Sequence, residues 1–387
     1  MFSNIDTALI HGGYDPHADL QNGGTGAVNV PVYLSSTYVQ HAPGQHSGYE
    51  YSRTGNPTRA ALEALVAELE GGVAGFAFAS GMAAIAAAIS LLDSGDTVII
   101  SDNVYGGTFR ILDKVFKRFG INYLIENTND AAALAAKLSP DVKAILVESP
   151  ANPLLSVTDI AALAKVTKAH GILLMVDNTF MTPYLQRPLE LGADLVIHSA
   201  TKYLGGHSDL IAGLIVTATP ELAEKIHFIM NSTGGILQPF DSYLLMRSIK
   251  SLGVRMDRHV ANAEAVAAYL SAHPAVARVY YPGLPTDPGY QTQHAQAKNG
   301  GSMLSFDLAE GYSVNKFLTG LKMVALAESL GGVESLVGHP ATMTHASIPP
   351  DLRAEMGISD QLIRLSVGIE NAQDIITDLT AALSAAQ

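Results

Sequence analysis

The chain has 387 residues, 48% of them hydrophobic and 15% charged, enough for a large buried core and more than one domain. Its formal net charge of −13 argues against binding to nucleic acid or to anionic membranes, because both need a concentrated basic surface. It contains no cysteine, which excludes disulfides, thiolate catalysis and cysteine-based metal sites.

The N-terminal segment, residues 1–55, is predicted to be an extended arm that packs on another subunit. It is rich in Gly, Tyr, His and Ser and shows no sustained helical period. A disordered tail is the alternative, and large apolar side chains such as Val28, Tyr33 and Tyr49 argue against it. The first residues lack the features of a signal peptide, and no segment approaches the roughly 20 apolar residues of a membrane span, so we expect a cytoplasmic protein.

The second segment, residues 56–245, is predicted to be an α/β domain that binds the cofactor proposed below. A helix is expected from Asn56, with Pro57 in its first turn and Gly71-Gly72 at its end. Short apolar runs then alternate with helical stretches, which is typical of a mainly parallel sheet covered by helices on both faces. The predicted strands are residues 75–79, 97–100, 142–148, 172–177, 195–198 and 212–216.

The last segment, residues 246–387, is predicted to be a smaller α+β domain. A Pro/Gly-rich stretch at residues 281–289 marks the change in character. The expected elements are a long helix at about 240–269, strands at 302–308 and 362–367, and a closing helix near 372–386.

Polar side chains are expected at the carboxyl ends of the predicted strands, where open α/β sheets bind their ligands. Asp177 ends one apolar run, and Ser199, Thr201 and Lys202 follow the next one. Taken singly, Asp177 would more often be a helix cap or loop carboxylate, and Lys202 a solvated surface lysine. Together, an amine that condenses with an aldehyde, an acid for a pyridinium nitrogen and hydroxyls for a phosphate predict pyridoxal phosphate.

Four further patterns leave alternatives open. The turn at residues 79–84 opens a helix, and its free N–H groups suit a phosphate, although an ordinary tight turn fits as well. Tyr105, flanked by glycines, suits stacking on a flat ring or a simple surface turn. Arg364, in an apolar strand pattern, needs either a structural carboxylate or a substrate carboxylate. His339 and His345 share no third ligand, so we expect loop residues and no metal.

The whole chain, from about Asp6 to the last helix, resembles the cystathionine/methionine-metabolism family of pyridoxal-phosphate enzymes. The motifs that carry the resemblance are residues 50–59 (EYSRTGNPTR), 77–82 (AFASGM), 176–181 (VDNTFM), 199–203 (SATKY), 327–332 (AESLGG) and 343–347 (MTHAS). The resemblance implies the type I, aspartate-aminotransferase-like α/β fold, pyridoxal 5′-phosphate and a small amino-acid substrate. It also implies a homotetramer, built as a dimer of dimers with shared active sites, and no nucleic-acid or membrane partner.

The resemblance implies catalytic roles for particular residues. Lys202 would hold the cofactor covalently and move protons between substrate carbons. Asp177 would keep the pyridine nitrogen protonated. Tyr105 would stack on the ring, and either Tyr105 or Tyr51 would assist departure of the sulfur or activate the incoming amine.

The resemblance also implies two sets of binding residues. The remaining cofactor ligands, of which the last two would reach the phosphate site of a neighbouring subunit, are Gly81, Met82, Ser199, Thr201, Tyr51 and Arg53. Asn152 and Arg364 would hold the substrate α-carboxylate. The other implied substrate-binding residues are Glu328, Ser329 and Arg110.

The implied reaction is γ-elimination from L-cystathionine to cysteine, 2-oxobutanoate and ammonia, with β-lyase or desulfhydrase side activity. Glu328 together with Arg110 resembles the γ-lyase/γ-synthase pattern, and Gly107 stands where methionine γ-lyases typically carry a cysteine. The alternative within the family is γ-synthesis from cysteine and an O-acyl-homoserine. The alternative outside it is a nicotinamide-dependent oxidoreductase on the same kind of sheet.

Overall fold

The computed structural model describes residues 2–343 and 350–387. His345 and most of the motif at residues 343–347 lie outside the described residues. The helices are α1 (Ile5–His11), α2 (Pro16–Gln21), α3 (Pro57–Glu70), α4 (Gly81–Ile89), α5 (Gly106–Lys114), α6 (Ala131–Ala135), α7 (Ile160–His170), α8 (Thr182–Leu185), α9 (Pro220–Thr233), α10 (Pro239–Ile249), α11 (Leu252–Ala272), α12 (Tyr290–Gln296), α13 (Val314–Gly320), α14 (Pro350–Glu355) and α15 (Ala372–Ala385).

The strands form two separate sheets. They are β1 (Ala74–Phe78), β2 (Thr97–Ser101), β3 (Asn122–Glu126), β4 (Val142–Glu148), β5 (Leu173–Asp177), β6 (Leu195–Ser199), β7 (Gly213–Thr217), β8 (Val276–Tyr280), β9 (Met303–Leu308), β10 (Ala325–Leu326), β11 (Leu336–Gly338) and β12 (Leu362–Ser366). Within the described residues, no helix is long and apolar enough to cross a membrane.

The first sheet has seven strands in the order β1-β7-β6-β5-β4-β2-β3. Strands β2 to β6 pair in parallel, whereas β7 runs antiparallel to both of its neighbours, β1 and β6. The second sheet has the order β10-β11-β12-β9-β8. The predicted fold class, a large mainly parallel sheet followed by a smaller α+β part, is confirmed. The exact domain boundaries at residues 55 and 245 stay predictions.

The alternation of side chains along the strands decides which polar groups meet. Met175 and Ile197 pack into the core on one face of the first sheet. Because side chains two residues apart point to the same face of a strand, Asp177 and Ser199 continue that face beyond the core. Glu148 does the same at the end of β4. One face of the carboxyl edge therefore carries a row of polar groups.

The second sheet presents its apolar side to helices of the C-terminal part. Ile363 and Leu365 on β12 belong to a core that also contains Phe306 on β9 and Phe317 on α13, and the two phenylalanine rings meet edge to face at 5.8 Å between centroids. Arg364 alternates with Ile363 and Leu365 and thus points to the opposite face. On that face the Arg364 guanidinium lines the cavity described below.

The predicted long helix over residues 240–269 is wrong, because two helices, α10 and α11, occupy this region. The break falls at Lys250–Ser251, where Ser251 has φ −107° and ψ 10°. The carbonyl of Ser248 accepts hydrogen bonds from the Ser251 backbone N–H and from the Arg255 side chain. A tertiary contact to a charged side chain thus ends α10 where the sequence has neither Gly nor Pro.

The prediction that residues 1–55 lack helix is wrong for two short stretches. Helix α1 is capped by the Asn4 side chain and α2 by the Asp15 side chain. Ala8 and Leu9 of α1 are buried in a hydrophobic cluster that also contains residues of α3 and β7. Residues 22–56 contain no helix and leave large apolar groups exposed, as expected of an arm. Their packing on a second subunit stays a prediction.

Asn56 joins the arm to α3 and gives a test of local stability. Its side-chain oxygen accepts from the N–H groups of Thr58 and Arg59, and its amide donates to the carbonyl of Tyr33. Because the residue is fully buried, we expect Asn56→Ala to lower the free energy of unfolding by about 2 kcal/mol. The exposed cap Asn371→Ala is the control, with an expected loss of about 1 kcal/mol. Equal losses in urea titrations would contradict the account.

Candidate active site

A cavity of roughly 280 Å³ lies at the carboxyl edge of the first sheet, below Arg364 of the second. Its lining gathers residues from both halves of the chain. The predicted site residues that line it are Gly81, Met82, Tyr105, Asn152, Asp177, Ser199, Thr201, Lys202, Glu328, Ser329 and Arg364. The structure thus brings together side chains that are up to 283 positions apart in the sequence (364 minus 81).

The start of α4 forms one end of the cavity. Ser80 caps the helix by accepting from the N–H of Ala83, and the N–H groups of Gly81 and Met82 before it have no partner inside the helix because they lie in its first turn. A Cβ at Gly81 would lie 2.9 Å from the Cβ of Ser199, so only glycine lets the helix start approach β6 this closely. Free N–H groups, the helix dipole and the Ser199 hydroxyl together suit a phosphate.

Two carboxyl groups lie side by side on the floor of the cavity. Asp177 and Glu148 are direct neighbours across the β4–β5 pair. Burial, followed by the charge of Asp177, raises the pKa of Glu148 to about 8. Burial also raises the pKa of Asp177, opposed by hydrogen bonds from Thr179 and by the charge of His198. Since both acids cannot ionise cheaply at this spacing, a cation placed over Asp177 would favour its charged form.

Tyr105 lies at the entrance of the cavity. It immediately precedes α5, and its side chain is 40% exposed. Its backbone N–H donates to Oε1 of Glu148 at 2.8 Å. A Cβ at Gly107 would come within 2.3 Å of the Tyr105 ring, so a larger residue at this position would clash with the ring. The Tyr105 residue thus lines the cavity and remains partly exposed, as stacking on a planar ligand requires.

Lys202 presents its amine inside the cavity. Its Nζ lies 2.8 Å from Oγ of Ser329, to which it donates a hydrogen bond. Burial, followed by the nearby charge of Arg364, lowers the pKa of Lys202 to about 8, although Glu328 opposes this shift. About a tenth of the amine is therefore neutral at pH 7, far more than for a lysine with the usual pKa of 10.5. A neutral amine is the form that attacks an aldehyde.

Arg364 completes the site from the second sheet. It is 4% exposed, and its Nη1 donates to Oδ1 of Asn152 at 3.1 Å while Nη2 donates to the carbonyl of Ser329 at 2.9 Å. Neither of these two partners is a carboxylate. Ser329 itself has φ 90°, a region that favours glycine, and its contacts to Lys202 and Arg364 hold it there.

Three predicted site residues lie outside the cavity lining of the described chain: Tyr51, Arg53 and Arg110. Tyr51 is 46% exposed, and the Arg53 guanidinium stacks over its ring at 5.5 Å. Arg53 also donates to the carbonyl of Asn231. Arg110 is exposed on α5. Their predicted roles in a neighbouring subunit's site or at the far end of a substrate stay predictions.

Sequence reasoning missed several residues of the lining. Glu148 ends a predicted strand beside Asp177, so the rule for carboxyl ends of parallel strands would have found it. The apolar members of the lining carry no such signal, because any buried or loop position has the same composition. They are Ile85, Phe180, Ile211 and Leu330.

The low pKa of Lys202 predicts the pH dependence of its reactivity. In cofactor-free protein, we expect the rate of attachment of an aldehyde to rise with pH through a midpoint at about 8, because only the neutral amine reacts. The change Glu328→Gln should lower the midpoint, since it removes a carboxylate that stabilises the ammonium form. A midpoint near the ordinary lysine value of 10.5 would contradict this environment.

These groups fit pyridoxal phosphate by their chemistry. The cavity offers an anion site at α4, an acid at Asp177, a planar ring at Tyr105 and a partly neutral amine at Lys202. The arrangement suits a phosphorylated aldehyde cofactor and a substrate that bears a carboxylate. The match to known proteins agrees, since residues 6–384 match the family described as Cys/Met metabolism PLP-dependent enzyme. The chain belongs to this family, whose cofactor is pyridoxal phosphate, and the oxidoreductase alternative is wrong.

Members of the family with different named activities resemble the chain about equally. A Bacillus subtilis (strain 168) protein named cystathionine gamma-lyase is 54% identical over 377 residues, 97% of this chain and 98% of that protein. A Lactococcus lactis subsp. cremoris (strain MG1363) protein named cystathionine beta-lyase is 52% identical over 381 residues, 98% and 99% of the two chains. The crystal structure of cystathionine gamma synthase from Xanthomonas oryzae pv. oryzae in complex with aminoacrylate and cysteine has a TM-score of 0.95, with 42% identity covering 100% of this chain and 99% of that chain.

Proposed function

We propose that the protein is a cystathionine γ-lyase that converts L-cystathionine and water to cysteine, 2-oxobutanoate and ammonia. The observation that carries the proposal is the position of the Lys202 amine, held by Ser329 in a cavity that Asp177 and Arg364 also line. When bound, pyridoxal phosphate supplies an aldehyde that condenses with amines and a ring that withdraws electrons from the substrate α-carbon. The residues of the chain supply binding, orientation and proton transfer.

Lys202 is the proton carrier in this proposal. Its amine, with a pKa near 8, takes the proton from the substrate Cα and then moves a proton at Cβ. Loss of the γ-thiolate releases cysteine, and the sulfur acquires a proton as it leaves. Tyr105, at the cavity entrance, is the group we assign to that step, and Tyr51 is the second candidate from a neighbouring subunit.

Arg364 and Asn152 orient the substrate. The Arg364 guanidinium binds the α-carboxylate as a planar fork, and Asn152, already bonded to Nη1, fixes the plane of that fork. Burial lowers the pKa of Arg364 to about 10, which still leaves it charged at neutral pH. The substrate carboxylate would supply the counter-charge that the apolar strand around Arg364 lacks.

Asp177 and Glu148 set the charge at the cofactor ring. Asp177 is the carboxylate we assign to the pyridine nitrogen, where it keeps that nitrogen protonated. Burial and the neighbouring charge of Asp177 raise the pKa of Glu148 to about 8, which favours the neutral form of Glu148 at pH 7. We assign the cofactor phosphate to the N-terminus of α4 and to the hydroxyls of Ser199 and Thr201, with Met82 beside them in the cavity lining.

Among the named activities of the family, Glu328 supports a γ-lyase or a γ-synthase rather than a β-lyase. It lines the cavity next to Ser329. We assign its carboxylate to the distal ammonium of cystathionine. The arm with Tyr51 and Arg53, and Arg110 on α5, are proposed to complete the site across a subunit contact in a homotetramer. A γ-synthase that joins cysteine to an O-acyl-homoserine is the second candidate, since Glu328 suits both reactions.

The products distinguish the candidate activities. γ-Elimination of L-cystathionine yields 2-oxobutanoate, whereas β-elimination yields pyruvate. We expect the purified holoenzyme to release 2-oxobutanoate faster than pyruvate. A parallel assay supplies cysteine with O-acetyl- or O-succinyl-homoserine and measures cystathionine. Release of pyruvate without 2-oxobutanoate would contradict the γ-lyase assignment and indicate a β-lyase. Cystathionine synthesis in the absence of cleavage would replace it with the γ-synthase.

A further inference from the structure

Arg255 on α11 is a buried cation outside the cavity lining. It is 4% exposed, and burial lowers its pKa to about 10, so it stays charged at neutral pH. Among the described residues, no salt bridge involves it. Its Nη1 donates to the carbonyl of Tyr203 at 2.7 Å, its Nη2 to the carbonyls of Ser248 at 2.9 Å and Leu204 at 3.4 Å, and its Nε to Oγ of Ser251 at 3.3 Å.

Two of these carbonyls, those of Tyr203 and Leu204, belong to the turn directly after Lys202, whereas that of Ser248 belongs to α10. The turn closes on itself through the N–H of Gly206, which donates to the carbonyl of Lys202 at 2.7 Å. Gly206 has φ 69°, and a Cβ there would lie 2.2 Å from Nη1 of Arg255. The guanidinium therefore fills the space that a side chain at this position would occupy. The turn and the Arg255 guanidinium thus pack directly against each other.

The same turn contacts the segment that holds the Lys202 amine from the other side. The carbonyl of Gly206 accepts from the N–H of Val333. Gly331 packs so closely that a Cβ there would lie 2.7 Å from the backbone nitrogen of Tyr203. This segment begins at Ser329, whose Oγ receives the Lys202 hydrogen bond. Displacement of the turn would therefore change the distance between Lys202 and Ser329.

Helix α11 also holds the strand that carries Arg364. One turn beyond Arg255, Nδ1 of His259 lies 2.6 Å from the carbonyl of Val367, just after β12. The amide of Asn262 donates to the carbonyls of Gly368 and Glu370. Because an α-helix fixes the spacing of residues four apart, α11 connects the Lys202 turn to the Arg364 strand at a set distance.

We propose that Arg255 is a positioning residue that fixes the Lys202 turn against α11 and thereby places the amine relative to Ser329 and Arg364. The inference rests on the proposed role of Lys202. A guanidinium suits this task because its planar fork reaches several carbonyls at once, whereas a lysine ammonium is a point charge and a methionine offers no donor. A displacement of about 1 Å at a reacting group can cost about 100-fold in rate.

The test compares Arg255→Met and Arg255→Lys with wild type. Two rates are measured: attachment of pyridoxal phosphate to Lys202 in cofactor-free protein, and turnover of the best amino-acid substrate by the holoenzyme. For Arg255→Met we expect both the attachment rate and kcat to fall about 100-fold, with KM changed less than about threefold because Arg364 keeps its partners. Arg255→Lys should recover about tenfold of each loss. The matched control is Arg258→Met, an exposed arginine of the same helix.

Each outcome decides the inference. Attachment and kcat at wild-type values in Arg255→Met would overturn it, and so would a loss confined to KM. If Arg255→Met does not fold, an Arg255→Lys variant with wild-type rates would overturn it equally. Peptide mapping of wild type separates the two proposals. A tag on another lysine would overturn the proposed function and this inference together, whereas a tag on Lys202 with unchanged variant rates would overturn this inference alone.

Discussion

Replacement of Lys202 by arginine or alanine is expected to reduce turnover by at least about 10⁴-fold, because the same amine both holds the cofactor and carries the substrate proton. Arginine keeps the positive charge but does not lose its proton, so it cannot condense with an aldehyde. We also expect neither variant to acquire a cofactor linkage that survives borohydride reduction. Steady-state rates and absorption spectra of the purified variants measure both effects.

The matched control is Lys225→Arg, which keeps an exposed ion pair with Glu221 on α9. It should retain wild-type turnover. A Lys202→Arg variant with more than about one-hundredth of wild-type activity would be incompatible with the proposed proton transfer, because general acid–base catalysis alone contributes about 10²- to 10⁴-fold.

Arg364→Lys is expected to raise KM for the amino-acid substrate by about 30- to 150-fold, the equivalent of about 2–3 kcal/mol from one charge-assisted contact. A lysine at this position keeps a charge but loses the planar fork that bonds Asn152 and the substrate carboxylate together. It also loses the donor to the Ser329 carbonyl, so some decrease in kcat through the Lys202 contact is expected.

The exposed residue Arg118 provides the control, and Arg118→Lys should leave both KM and kcat unchanged. A substrate analogue without the α-carboxylate offers a second measurement. Wild type and Arg364→Lys should have similar KM values for that analogue. A KM that is unchanged for the natural substrate in Arg364→Lys would remove Arg364 from substrate binding.

The sequence predicted the polar edge of the first sheet because two simple regularities combine there. Apolar runs of strand length identified β4, β5 and β6, and their carboxyl ends place Asp177 and Ser199 at the ligand edge. Lys202 follows three residues later in the same connection. The family motifs then assigned each position a role, which composition and periodicity alone did not do.

Other features could not be predicted because they depend on tertiary contacts. Strand β3 is an edge strand with exposed residues, so its polar Asn122 and Glu126 hide the apolar pattern of a buried strand. The end of α10 depends on the hydrogen bond from Arg255 to Ser248, a contact across the α10–α11 break. The antiparallel direction of β7 could not be predicted, because a strand that is buried on both faces has the same apolar sequence pattern whether it runs parallel or antiparallel to its neighbours.

The most direct measurement is borohydride reduction of the cofactor-saturated protein followed by peptide mapping. The account predicts one pyridoxyl-labelled peptide, with the label on the ε-nitrogen at position 202, and loss of the visible absorption band on reduction. A label at a different lysine, or an unlabelled chain after reduction of fully loaded protein, would contradict the assignment of the site.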